Sequence, residues 1–88
     1  MNEAENLPSQ ALIKEAMLAI LKESAEGLHI NDIESAVAKR LLLTQSQVAL
    51  IHAGKRTMLG YKLAWARTSA KKEGLVFSPR YSVWKIVN

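Results

Sequence analysis

Eight side chains in the second half of this sequence share one kind of chemistry. Lys55, Arg56, Lys62, Lys71, Lys72 and Arg80 are cations, and Tyr61 and Thr68 place hydroxyls among them. Lysine and arginine neutralise phosphate oxygens, and hydroxyls donate to phosphates or to base edges. The spacing predicts a helix from about Gly60 to Glu73, with Gly74 as its stop. At 100° per residue, Leu63, Ala66 and Ala70 share a narrow arc, which Leu59 extends if the helix begins early. Tyr61, Ala64, Trp65, Thr68, Lys71 and Lys72 fall opposite, with Lys62 and Arg67 on the flanks. Small Ala64 lets such a helix approach a groove closely. Lys55 and Arg56 precede the helix, and Arg80 is expected at the tip of a hairpin, so three separate places can grip one duplex. Bland alternatives stand beside these readings. Lys71 and Lys72 also complement the dipole at a helix C-terminus. Lys55 and Arg56 also suit a solvated loop. Trp65 is expected to pack, as are Trp84 and Tyr81, because rings this large in so small a domain belong mostly to the core.

The charge is polarised along the chain. Residues 1–34 hold seven of the eight acids and only two bases, whereas residues 35–88 hold ten bases and one acid, Glu73. A folded domain with this distribution has a dipolar field whose basic side attracts a polyanion, most commonly nucleic acid. At 88 residues, 49% hydrophobic and 23% charged, the chain is one small globular domain. Residues 1–8 are expected to be a flexible N-terminus and 9–88 the domain. The absence of cysteine excludes disulfides and thiolate metal sites. Apolar runs of only a few residues fall short of the roughly 20 that span a bilayer. The opening Met-Asn-Glu-Ala-Glu-Asn is acidic where a secretory signal is basic. A cytoplasmic protein without membrane contact is expected.

The elements that must position these side chains are legible as periodicities. Leu12, Ile13, Ala16, Met17, Ile20 and Leu21 form an apolar stripe, predicting a first helix over about 9–26 with Gly27 as its left-handed cap. Leu28-His29-Ile30 suits a short edge strand. Asn31-Asp32-Ile33-Glu34 has the pattern of a capping box and opens a second helix over about 32–41. Thr44-Gln45-Ser46-Gln47 repeats the pattern and opens a third over about 45–52. Residues 53–59 are expected to be a loop before the cationic helix. Leu75-Val76-Phe77 and Val83-Trp84-Lys85-Ile86-Val87 then predict a β-hairpin across Ser78-Pro79-Arg80-Tyr81-Ser82, with Trp84 and Ile86 facing the core. Helices closed by a terminal hairpin make an α+β fold of the winged helix-turn-helix type. Its last helix can enter the major groove while the hairpin wing lies against the backbone or minor groove.

Nothing in the chain assembles a catalytic site. The one acid after residue 34 is Glu73, and Asp32 is the sole aspartate, so a divalent cation lacks ligands. His29 and His52 are far apart and are expected at a strand edge or a helix end. Gly54-Lys55-Arg56-Thr57 lacks the preceding glycine of a phosphate loop. No catalytic residue, metal or cofactor is expected.

Two segments resemble a known family. Trp65-Ala66-Arg67-Thr68-Ser69-Ala70-Lys71-Lys72-Glu73-Gly74-Leu75 is similar to a Trp-Ala…Leu-Lys-Lys-Ala-Gly-Leu segment in the N-terminal domain of Mrr-type restriction system proteins. Pro79-Arg80-Tyr81-Ser82-Val83-Trp84-Lys85-Ile86 is similar to that domain's closing Pro-Arg-x-Gly-Val-Tyr-Arg-Ile. Leu28-His29-Ile30, Leu43-Thr44 and Gly54 fit in order, so the likeness spans about residues 9–87. It implies a winged helix that binds double-stranded DNA, ordinarily joined to a nuclease domain, with Lys62, Thr68, Lys71, Lys72 and Arg80 as carried-over contacts. Gly60 stands where an Asp helix cap is usual, Tyr61-Lys62 where Asn-Arg is usual, and Ser82 where the turn has Gly. The expected function is a non-catalytic DNA-binding module, a regulator or the DNA-reading component of a restriction or mobile-element system, with a nuclease or another restriction-system protein as a further partner. The alternative is a winged helix that docks a protein through its first helix or its hairpin and touches no nucleic acid.

Overall fold

The computed structural model describes residues 7–54 and 56–87, and of His52 and Ala53 the backbone alone. Four helices and a small antiparallel sheet form an α+β winged-helix fold. Helix α1 spans Gln10–Lys22 and is capped by Ser9, whose hydroxyl accepts from the Leu12 amide at 3.2 Å. It ends four residues before the predicted boundary. The apolar stripe stops at Leu21, and residues 22–26 have nothing to bury, so Glu23 closes the helix. Gly27 is therefore not its cap. It has φ +89° but serves the next element, bringing strand β1 (Leu28–His29) against the hairpin.

Helix α2 spans Ile30–Arg40 and begins earlier than the Asn31-to-Glu34 capping box implied. That box does not form. His29 is the N-cap, its Nδ1 accepting from the Asn31 amide at 3.1 Å. His29 is thus both a strand residue and a helix-end residue, as expected. Glu34 is released for a different contact, described below. The helix ends in a Schellman arrangement, with the Leu43 amide donating to Ala38 and the Leu42 amide to Lys39. The left-handed position is filled by Leu42, at φ 55° and 86% exposed.

Helix α3 (Gln45–Ala49) opens with the predicted capping box. Thr44 Oγ1 accepts from the Gln47 amide, and Gln47 Oε1 accepts from the Thr44 amide at 2.7 Å. It stops short of residue 52 because Leu50 turns extended and the chain enters a ribbon of β2 (Ile51–Ala53) and β3 (Arg56–Thr57). The stretch expected to be a loop is largely this ribbon and the start of the next helix.

Helix α4 spans Met58–Lys72. Its cap is Thr57, whose hydroxyl accepts from the Gly60 amide at 3.0 Å, so Gly60 lies in the first turn and not at the cap. Gly74, at φ 76°, ends the helix as predicted. Leu59, Leu63, Ala66 and Ala70 face inward, joining Ile13, Met17 and Leu21 of α1 and Ile33 and Val37 of α2. Such i, i+3, i+4 stripes bury one face per helix.

The hairpin closes this core. Strand β4 (Val76–Arg80) pairs with β5 (Val83–Ile86), and β5 pairs on its other side with β1. Val76 is buried, and Trp84 and Ile86 pack against the core as expected. The strands run further than predicted, leaving Tyr81-Ser82 as the turn. Pro79 is not in that turn. It sits in edge strand β4 where the register shifts between Phe77 and Arg80, one of the few sheet positions that tolerate a residue without N–H. Ser82 occupies a left-handed conformation, φ 61°.

Candidate nucleic-acid interface

The outer face of α4 follows from its inner one. With Leu59, Leu63, Ala66 and Ala70 fixed inward, Tyr61, Ala64, Trp65, Thr68 and Lys72 face out. Trp65 is 56% exposed, which corrects the expectation that it packs in the core. Its indole meets the Tyr61 ring edge-on, centroids 6.5 Å apart. The inner arc of α4 has room only for leucine and alanine, so the ring was excluded from the interior by the helix register itself. Tyr81, 95% exposed at the wing tip, likewise does not pack. A two-residue turn projects it beyond the sheet.

Thr68 donates its hydroxyl proton to the Ala64 carbonyl at 3.0 Å. Its donor is thus engaged within the helix, while the side chain as a whole is exposed. Arg56 leans on the same surface from β3, its guanidinium carbon 5.9 Å from the Tyr61 ring centroid. Arg56, Tyr61, Ala64, Trp65 and Thr68 together line one hollow. The face is therefore aromatic and apolar at its centre, with cations at its edge.

The flanks differ. Lys62 lies on the α1 side, where Gln10 Nε2 donates to its carbonyl at 2.6 Å. On the same side Lys14 reaches Ser69 at 3.0 Å and pairs with Glu73 at 2.6 Å, fastening α1 to α4. Arg67, five residues and about 140° around from Lys62, lies on the α2 and wing side. Its guanidinium carbon is 5.9 Å from the Trp84 ring centroid. Burial first, then the Arg56 charge, lower its pKa from the ordinary arginine value, against the pull of Glu34. It nevertheless stays charged. Helical spacing places Arg67 only on the flank of α4. The signal for it is its spacing from Leu63 and Gly60, which turns it toward α2.

The wing is fixed to this side. The Ile30 amide donates to the Ser82 carbonyl at 2.9 Å, tying the tip to the start of α2. The Ser78 hydroxyl lies 2.7 Å from the carbonyls of both Arg80 and Val83, bracing the register shift below the tip. Arg80 and Lys71 are exposed. Of the eight expected contacts, Arg56, Tyr61 and Thr68 are brought together. Lys72 shares a neighbouring hollow with Trp65 and Thr68. Lys62 stands on the far flank from the wing that carries Arg80. Lys55 lies outside the described residues.

Among the described residues no three His, Asp or Glu side chains gather to hold a metal, and no helix is long and apolar enough to cross a membrane. No curated protein and no solved structure matches the chain. A family model, the Mrr N-terminal domain, matches residues 11–88. In Mrr proteins that domain is the non-catalytic part, the nuclease lying in the C-terminal domain. With nearly its whole length matched, and with the segments that carry the likeness lying in α4 and the closing hairpin of one small fold, the chain belongs to the Mrr N-terminal domain family.

Proposed function

We infer that the protein is a non-catalytic module that binds double-stranded DNA through α4 and the wing, in the cytoplasm, as a regulator or the DNA-reading component of a restriction or mobile-element system. The observation that carries this is the outer face of α4. Trp65 is left in solvent there, edge-on to a half-buried Tyr61, with lysines and arginines around the pair. An exposed aromatic centre with a cationic edge suits a helix lying in a groove, where apolar groups meet thymine methyls and cations meet the phosphates on either side. Lys62 and Arg67, on opposite flanks, suit the two strands that border such a groove. Lys55, Arg56, Tyr61, Lys71, Lys72, Thr68 and Arg80 complete the proposed contact set.

The test is fluorescence anisotropy of a labelled duplex at several salt concentrations. Around five phosphate contacts predict that log affinity falls with log salt at a slope of about −4 to −5. Lys62→Ala with Lys72→Ala should weaken binding on all sequences and flatten that slope by about two units. If the double variant binds as the parent does, α4 is not the reader.

A second reading, docking of a protein on the hairpin, is favoured by the solvent-facing Leu75, Phe77 and Val87, each 40–46% exposed. Under that reading Phe77→Ser abolishes partner binding while retention on heparin is unchanged.

A further inference from the structure

Between α2, β3 and α4 lies a hollow of about 250 Å³ lined by Glu34, Arg56, Thr57, Gly60 and Arg67. Two like charges meet there. Among the described residues neither the Arg56 nor the Arg67 guanidinium makes a hydrogen bond or an ion pair. Each guanidinium instead rests against a ring, Arg56 on Tyr61 and Arg67 on Trp84. A cation–π contact of this kind engages the charge with the ring and leaves the guanidinium N–H donors available to an anion. Arg67 is also half-buried, and the charge of Arg56 acts unfavourably on it. An anion seated between them removes that repulsion.

The anion's charge is also indicated. Glu34 lines the same hollow, but its carboxylate is held by the Thr57 hydroxyl at 2.8 Å. Two guanidinium groups and one carboxylate leave a single net positive charge. That matches a phosphodiester, which carries one negative charge, better than a phosphomonoester or a free nucleotide carrying two or more. Gly60 keeps the floor of the hollow low. A Cβ there would stand 3.0 Å from Thr57 Oγ1 and 3.2 Å from Glu34 Oε1.

We propose that Arg56 and Arg67 jointly clamp one backbone phosphodiester of the bound duplex in this hollow between α2, β3 and α4, a site that rests on the DNA-binding reading above. Neither the spacing of charges nor the resemblance assigned Arg67 this contact. Its cation–π contact with Trp84 of β5 links the proposed site on α4 to the wing.

The experiment is the same anisotropy titration with Arg56→Gln, Arg67→Gln, the double variant and Glu34→Gln, each first checked for an unchanged far-UV spectrum and melting temperature. Because the two arginines share one phosphate, the double variant should lose about one unit of salt slope and not two, so that between 50 and 200 mM salt it loses about 3.5-fold less affinity than the parent. The single variants should each weaken binding by about tenfold, and the double by clearly less than the product of the two. Glu34→Gln keeps an acceptor for Thr57 and should bind about threefold more tightly. A double variant with the parent's slope, single losses that simply multiply, or a Glu34→Gln variant no tighter than the parent overturns the clamp while leaving DNA binding in place. A parent that does not bind duplex at all overturns the underlying reading and the clamp with it. Arg67→Lys separates charge from geometry: it should retain the salt slope yet lose affinity, since an ammonium neither stacks on Trp84 nor forks.

Discussion

Gly27 lies where β1 is pressed against β5, and alanine there should be costly for two separable reasons. Its φ of +89° is a left-handed conformation, which costs a residue with a Cβ about 1 kcal/mol or somewhat more. The added Cβ would also stand 2.5 Å from Lys85 Cγ, 2.8 Å from the Trp84 carbonyl oxygen and 3.3 Å from Val83 Cγ1. The Lys85 side chain can swing aside. The Trp84 carbonyl belongs to the backbone of the central strand, so β1 must move away from it, at about 1–3 kcal/mol for overpacking of this kind. Together Gly27→Ala should cost about 2–4 kcal/mol, a large part of the stability of so small a domain. With shifts of about 4–8 °C per kcal/mol, the melting temperature should fall by roughly 8–32 °C. Gly74→Ala provides the control. Gly74 has φ +76° but a Cβ added there would meet no heavy atom within 4 Å, so it carries the conformational cost alone, about 1 kcal/mol. Urea denaturation of both variants, followed by circular dichroism and tryptophan fluorescence, measures the difference. If the two variants are equally destabilised within about 0.5 kcal/mol, the close approach of Gly27 to the wing strand is not a packing constraint and the reasoning fails.

Three further outcomes are expected. Thr57→Val should cost about 1 kcal/mol through loss of the α4 cap, and Thr57→Ser should recover most of it, as read by thermal melts. Trp65→Ala should change stability by less than about 1 kcal/mol, whereas Trp84→Ala, which removes the ring between the core and Arg67, should cost about 3 kcal/mol; equal costs would place Trp65 in the packing after all. Leu42→Gly should raise stability by about 1 kcal/mol in the same melts, because glycine adopts the left-handed position without the leucine's strain and removes an exposed apolar side chain.

The helices were legible because their signals are local. Apolar stripes at helical spacing in α1 and α4, Thr44 with Gln47, and Gly74 all act within a turn or two of themselves, and the inward arc of α4 followed directly. What misled were residues whose partners lie far along the chain. Asn31 and Glu34 have the pattern of a capping box, yet His29 caps the helix and Glu34 turns to Thr57, 23 residues away. Gly27 has a left-handed conformation, as read, but β5 dictates it and not α1. Size alone points Trp65 and Tyr81 to the core, whereas helix register and turn length decide their exposure. At the candidate interface, the charge count located the cationic half. It could not show that Arg56 and Arg67 converge, because that depends on a two-stranded ribbon which nothing in residues 51–57 announces strongly.

The bond from Ile30 to Ser82, the Ser78 brace and the stacking of Arg67 on Trp84 have a mechanical consequence. Hairpin and helix are mounted on one frame, so the distance between them is set when the chain folds and not when a ligand arrives. A duplex seated on this face would meet a ruler of fixed span. Sequences whose backbone already matches that span, or yields to it cheaply, would be favoured at positions no side chain touches, and discrimination would reside partly in the stiffness of the nucleic acid.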